Sequence, residues 1–323
     1  MIVPTPFSGS TGDIFTRHPA NPLLTSDQWP STVNVVFNPA AAMLGETTVL
    51  LARVEDRSGL SHLHVARSAN GFTDWSIDPV PALSPVANDQ HAAWGFEDPR
   101  MVWVPELGRF AITCTAYGPV GPSVHLALTD DFVQYEHLGI IMQPEDKNAA
   151  LFPRRIGGNW VLLHRPVVGP QRRSDVWLSR SADLIGWRAP EPVLSCRPSA
   201  WWDGLRIGIG PPPIETEHGW LVLYHGVKQT VAGAIYRVGA VLLDLDEPTI
   251  VLRRTPSWLL SPTAPYERVG DVGNVVFPCG AVVVGDGELR LYYGAADTSV
   301  CAATASLADL LSLLLDDRCA IRN

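Results

Sequence analysis

The stretch Trp94-Gly95-Phe96-Glu97-Asp98-Pro99-Arg100 sets two acids and a base around a proline. The apolar run Met101 to Val104 follows it and reads as a buried strand. An acid at the mouth of a buried strand is a candidate general acid. An isolated Asp-Pro more often only shapes a turn. Here it is not isolated, because the same pattern recurs along the chain.

Five segments carry an apolar run into a proline: Val35 to Pro39, Gly95 to Pro99, Ala150 to Pro153, Gly210 to Pro212 and Val275 to Pro278. The prolines at 39, 99, 153, 212 and 278 are 60, 54, 59 and 66 residues apart. A second strand follows each, at Thr48 to Ala52, Arg109 to Thr113, Asn159 to Leu163, Gly219 to Leu223 and Glu288 to Tyr292. A third follows in turn, for example Leu63 to Ser68 and Val124 to Thr129. Outer strands are expected at Val80 to Leu83, Leu138 to Ile141, Glu191 to Leu194 and Pro256 to Leu260. The fifth unit has none, because leucines 307, 310, 311, 314 and 315 take helical spacing, giving a short C-terminal helix over about 306–316. Asn21 to Leu24 matches the missing outer strand, so the N-terminal strand would close the last blade. Four-stranded units repeated five times describe an all-β, five-bladed β-propeller, here one domain over 1–323.

Composition narrows the function classes. Of 323 residues 46% are apolar, enough for a large core, and the 27 glycines and 28 prolines suit many turns. A formal charge of −9 argues against nucleic acid or an anionic membrane as partner. Five cysteines without a CxxC pair indicate neither a disulfide framework nor zinc, and the reading is reduced thiols in a cytoplasmic protein. The opening Met1 to Pro6 lacks a signal-peptide pattern, and no apolar run is long enough to span a bilayer.

In a propeller the first strand of each blade lines the axis. Asn38, Asp98, Phe152, Pro212 and Phe277 would take equivalent places there, and only Asn38 and Asp98 are polar. The second strands end in Arg53, Thr115, His164 with Arg165, His225 and Tyr293. Taken singly, Arg53, Arg165 and Arg206 read as surface ion pairs and His225 as a buried histidine. Gathered at one mouth they form a cationic cluster suited to an anion such as phosphate. Trp94, Trp201, Trp202 and Tyr236 could stack on sugar rings.

Several motifs together resemble glycoside hydrolase family 130, the inverting β-mannoside phosphorylases and related β-mannosidases. They are Glu97 to Arg100, Leu151 to Pro153 with Leu163 to Pro166, Ile209 to Pro213 with Leu223 to Gly226, and Tyr236 to Ala240 before Leu243 to Asp246. The resemblance implies Asp98 as catalytic acid, protonating the glycosidic oxygen through the mannosyl 3-hydroxyl. It implies phosphate binding by Arg53, Arg165, Arg206, His225 and Tyr236, and substrate binding by Asn38, Asp297, Glu97 and Arg100. No metal or organic cofactor is implied; inorganic phosphate is the co-substrate. The short chain resembles the branch acting on manno-oligosaccharides or mannosyl-N-acetylglucosamine, and a homo-oligomer is compatible with it. Arg206 stands where that pattern usually has Lys, Asn148 where Asp follows Lys, and Arg154 where Glu is common. The alternatives are an inverting β-mannosidase, which needs a carboxylate base for water, and a sugar-binding propeller without catalysis.

Overall fold

The computed structural model describes residues 14–167, 174–198 and 201–321. Met1 to Pro6, read above for a signal peptide, lies outside them. After β1 (Thr16–Arg17) come five runs of strands. The first is β2 (Val35–Leu44), β3 (Thr47–Glu55), β4 (Ser61–Ser68) and β5 (Ser76–Ile77). The second is β6 (Gly95–Val104), β7 (Arg109–Gly118), β8 (Gly121–Thr129) and β9 (Glu136–Met142). The third is β10 (Asp146–Leu151), β11 (Trp160–Pro166), β12 (Val176–Ser181) and β13 (Arg188–Leu194). In the fourth, β14 (Arg206–Ile209) and β15 (Ile214–Thr216) both pair with β16 (Gly219–Thr230), followed by β17 (Gly233–Leu243) and β18 (Val251–Arg254). A short helix α1 (Pro265–Arg268) precedes the fifth run, β19 (Val276–Val284), β20 (Glu288–Ala295) and β21 (Ser299–Ser306). Helix α2 (Leu307–Leu315) ends the series, its Ser306 side chain accepting from the Asp309 amide and its Leu310 and Leu314 buried.

Within each run, neighbouring strands pair antiparallel. The hydrogen bonds join the strands into four sheets rather than five separate ones. The first two runs share an eight-stranded sheet because β4 and β6 meet in one parallel pair, Ser61 with Gly95. That contact needs a glycine: at φ 107° a Cβ on Gly95 would stand 1.9 Å from the Ser61 carbonyl oxygen.

Successive side chains of a strand point to opposite faces, and here the two faces feed different cores. Val49 and Leu51 of β3 pack with Ile112 and Phe110 of the second run, while Leu50 and Ala52 pack with Val282 and Tyr292 of the fifth. Trp220 and Val222 of β16 join the third run, and Leu221 and Leu223 join the fifth. A further core joins the second and third runs through Leu126, Leu162 and Trp160. The apolar cores thus link runs one to two, two to three, three to four, four to five and five to one.

Three expected strands are displaced, each beside a proline, which cannot donate to a ladder. The strand against β21 is Thr16–Arg17, pairing with Thr304 and Ala303. In the expected Asn21 to Leu24 segment only Leu24 makes a bridge, to Val300, while the Asn21 side chain bonds both the carbonyl and the amide of Ala302. In place of Val80 to Leu83 the outer strand is Ser76–Ile77, with a bridge from Leu83 to Leu63. In place of Pro256 to Leu260 it is Val251–Arg254, with a bridge from Leu260 to Val238. All five cysteines are free and buried. Among the described residues no helix is long and apolar enough to cross a membrane.

Candidate active site

The first strands of three runs carry the same irregularity. Pairing slips between Phe37 and Ala40, between Glu97 and Arg100, and between Lys147 and Ala150. Asn38, Asp98 and Asn148 stand in these bulges at φ 45°, 46° and 52°. Apart from glycine, Asn and Asp tolerate that left-handed backbone best, and a bulge re-aims the side chain it contains. All three line one cavity of about 380 Å³. Asn148 therefore takes the place that counting back from Pro153 assigned to Phe152. Strand β10 ends at Leu151, and Phe152 lies in the core, edge-on to Trp220 at 5.0 Å. Pro212 is not among the lining residues, whereas Phe277 is.

Asn38, Arg53, Glu97, Asp98, Arg165, Arg206, His225, Tyr236 and Asp297 all line the cavity. Arg100 does not. Its guanidinium donates to the carbonyls of Asp98, Ile209 and Gly210, so it braces β6 against the end of β14 instead of facing a substrate. Thr115, His164 and Tyr293 also stay outside the lining. His164 sits between Asp146 (2.6 Å) and Ser179 (3.0 Å), and Tyr293 donates to Glu267. Arg154 is a surface residue paired with Glu215.

The acidic side of the cavity is tightly tied. Asp98 Oδ1 accepts from Asn38 Nδ2 at 2.8 Å and from Arg53 at 3.3 Å, while Arg53 also reaches Glu97 at 2.9 Å. Burial raises the Asp98 carboxyl pKa, but the charges of Arg53 and Arg100 and the Asn38 amide outweigh it and hold it below the ordinary range. Burial pushes Glu97 up. Burial, and then the charge of Asp98, push Asp297 up to about 7. Asn38 is seated by Gly294: a Cβ there would come within 1.8 Å of Asn38 Oδ1.

The other side is cationic. Lys147 of β10 pairs in register with Arg165 of β11, and Arg165 Nη1 lies 3.5 Å from His225 Nε2. Arg206 Nη2 donates to the Tyr236 hydroxyl at 3.4 Å. His225 packs on Phe277, ring centres 4.5 Å apart. Burial, with Arg165, Arg100 and Arg206 around it, holds His225 well below its usual pKa, so it is neutral. Burial lowers Lys147, and it lowers even Arg165, to about 10. Arg165 Nε, His225 Nδ1 and Asn148 Oδ1 are buried with no protein partner. Buried polar atoms are rarely left so, and three cations crowding a neutral imidazole form a site for an anion. Lys147, Asn148 and Glu145 also line the cavity. Sequence reading noted Asn148 only as a departure and did not single out Lys147 or Glu145, because the expected first strand of this unit began at Ala150. The cavity can therefore hold a polyol against carboxylates and an anion against arginines, with Asp98 in the same space.

The sequence of residues 11–316 matches glycoside hydrolase family 130, described as beta-1,4-mannooligosaccharide phosphorylase. The chain is 37% identical over 309 residues to a beta-1,4-mannooligosaccharide phosphorylase of Ruminococcus albus, covering 93% of this chain and 90% of that one. It is 34% identical over 285 residues to a 1,2-beta-oligomannan phosphorylase of Thermoanaerobacter sp., covering 85% and 91%. The structure of beta-1,2-mannobiose phosphorylase from Listeria innocua, in complex with beta-1,2-mannobiose, superposes with a TM-score of 0.85 at 30% identity, covering 93% of this chain and 99% of that one. Sequence and backbone thus agree that the chain belongs to glycoside hydrolase family 130.

Proposed function

We propose that the chain is an inverting β-mannoside phosphorylase, converting a β-mannoside and inorganic phosphate to α-mannose 1-phosphate and a shortened acceptor. Its substrates are manno-oligosaccharides or mannosyl-N-acetylglucosamine. The observation that carries the reading is the cationic cluster of Lys147, buried Arg165 and Arg206, with unpartnered Arg165 Nε, opening into the same cavity as Asp98.

In this reading Arg165, Arg206, His225 and Tyr236 hold phosphate, with Lys147 adding charge. Asn38, Asp297 and Glu97 hold the mannosyl unit. Arg53 joins the two sides, tied to Asp98 and Glu97 until phosphate draws on its guanidinium. A phosphate oxygen attacks the anomeric carbon from the face opposite the leaving oxygen. The C1–O bond breaks, and the leaving oxygen receives the proton of Asp98 through the mannosyl 3-hydroxyl. The product has inverted, α configuration. No carboxylate base is required, since phosphate is already an anionic nucleophile. Hydrolysis would need such a base, and Asp297, raised to about 7, is the cavity carboxyl that favours this second reading.

The five runs of strands act here as five propeller blades of one domain, with β1 closing the fifth. The cyclic order of the apolar cores supports this, as does the convergence of Asn38, Asp98 and Asn148 on one cavity. Five buried free thiols suit a cytoplasmic location.

The deciding experiment incubates β-1,2- and β-1,4-mannobiose with and without phosphate and measures mannose 1-phosphate and free mannose. Mannose 1-phosphate formed only with phosphate is the expected result, and free mannose at equal rate without phosphate would transfer the assignment to hydrolysis. Arg165→Ala should raise the KM for phosphate far more than that for the mannoside, because losing one charged partner of a buried contact costs about 2–5 kcal/mol.

A further inference from the structure

Two aromatic side chains beside the cavity are left exposed in a molecule that buries most of its large apolar residues. Trp94 is 42% exposed and Tyr117 is 37% exposed. Their rings meet edge-to-face with centres 4.9 Å apart and planes at 71°. Their backbone is fixed: the Trp94 amide donates to the Tyr117 carbonyl at 2.9 Å, and the Trp94 carbonyl accepts from the Ser61 amide at 3.1 Å.

The register places the pair relative to the site. Tyr117 lies directly across from Gly95, and Thr115 across from Glu97. Directly opposed residues of antiparallel strands share a face, as do residues two apart in one strand. Tyr117 therefore lies on the face of Glu97, which lines the cavity, one two-residue step of about 6.8 Å further along. The turn beyond Tyr117 reaches the cavity again: a Cβ on Gly121 would stand 3.3 Å from Cγ of Glu145, another lining residue. The end of the β7–β8 hairpin is thus flanked by two cavity carboxylates.

The other tryptophans differ. Trp202 is buried and donates its indole N–H to the Pro256 carbonyl, Trp201 carries the Arg197 guanidinium at 4.8 Å, and Trp258, 41% exposed, has the Arg237 guanidinium over its ring at 4.2 Å. Trp103, also exposed, packs on Phe110 towards the other end of β6.

We propose that Trp94 and Tyr117 form a stacking platform for the outer sugar units of a β-linked oligomannoside whose reacting end lies in the cavity, and that they favour chains longer than a disaccharide. The proposal rests on the phosphorylase reading. The C–H faces of pyranose rings are apolar and match aromatic rings, while their hydroxyl edges suit Glu145 beyond the hairpin turn. Aromatic side chains have few torsions to freeze on binding, so they grip a flexible chain at small entropic cost.

The test compares phosphorolysis of manno-oligosaccharides of two to five units by the wild type, Trp94→Ala, Tyr117→Ala and Trp94→Phe. The wild type should gain in kcat/KM from two units to four. Trp94→Ala and Tyr117→Ala should lower kcat/KM on the tetramer about tenfold, mainly through KM, with the dimer changing much less. Trp94→Phe should restore most of the loss. Equal loss on dimer and tetramer, no loss on either, or no gain with length in the wild type would each overturn the platform. Should Tyr117→Ala lose its fold by circular dichroism, the Trp94 pair of variants decides. If the wild type forms no mannose 1-phosphate from any length, the phosphorylase reading fails instead.

Discussion

As the proposed acid, Asp98 would need a proton to act on a leaving oxygen, whereas its neighbours in the free structure favour the ionised form. Arg53 is the partner that a bound dianion can draw away, so phosphate itself would raise Asp98 toward its working state. Asp98→Asn keeps the shape and the bond to Asn38 but has no acidic proton. Turnover on a substrate with a poor leaving group should fall about 10²–10⁴-fold with the fold retained, and near-normal turnover would exclude Asp98 as the acid. Asp297 gives a second test, through stability. Its pKa of about 7 in the folded chain lies above the usual unfolded value of about 3.9. The folded form therefore keeps a proton that the unfolded chain has released. The stabilisation from this group is complete below about pH 4 and is lost as pH rises through about 7. Asp297→Asn cannot lose it. The difference in melting temperature, variant minus wild type, should grow between pH 4 and pH 8, and a constant difference would remove the claim.

At the scale of elements, β1 is only two residues long, yet Arg17 anchors it. Glu267, fully buried, accepts from Arg17 at 2.8 and 2.9 Å, from the Tyr293 hydroxyl at 2.8 Å, and from the amides of Thr263 and Ala264. Arg17→Ala removes the charged partner but leaves three neutral donors, so it should cost about 1.5–3 kcal/mol. Urea unfolding would measure this, and a change near zero would mean that β1 contributes nothing to the fifth sheet. The apolar runs were legible as strands because each buries both faces between neighbouring sheets. What periodicity could not locate was the third bulge. In the first two runs the bulged residue is followed by proline, at 39 and 99, whereas in the third Pro153 stands five residues beyond Asn148. Counting from proline therefore chose Phe152 and passed over Lys147 and Asn148. Arg100 was expected at the substrate, but its side chain does not line the cavity: its guanidinium is taken by carbonyls more than a hundred residues away, which no local pattern reveals. Asn38, Asp98, Arg53, Arg165 and His225 could be picked out because matching places in the repeated units line one cavity, whereas Glu97, Tyr236 and Asp297 came only from the family motifs.

Across the whole molecule each run shares one core with the run before it and another with the run after it. In the closed propeller proposed above, no repeat is terminal, so no run could leave without exposing two cores. Tryptophan fluorescence and far-ultraviolet circular dichroism should then report coincident unfolding transitions, and two separated transitions would count against the proposed closed ring. The pairing of Asn21 with Ala302, 281 residues apart in the chain, has a consequence for biosynthesis. On a ribosome adding about 5–20 residues per second, the first strand waits roughly 15–60 s for its partner to be made. Throughout that interval the nascent chain carries a strand with no sheet to join, and at the end it holds an unclosed edge on β21. A segment left without its partner for so long is an aggregation hazard for the whole of that interval, not only once the chain is released.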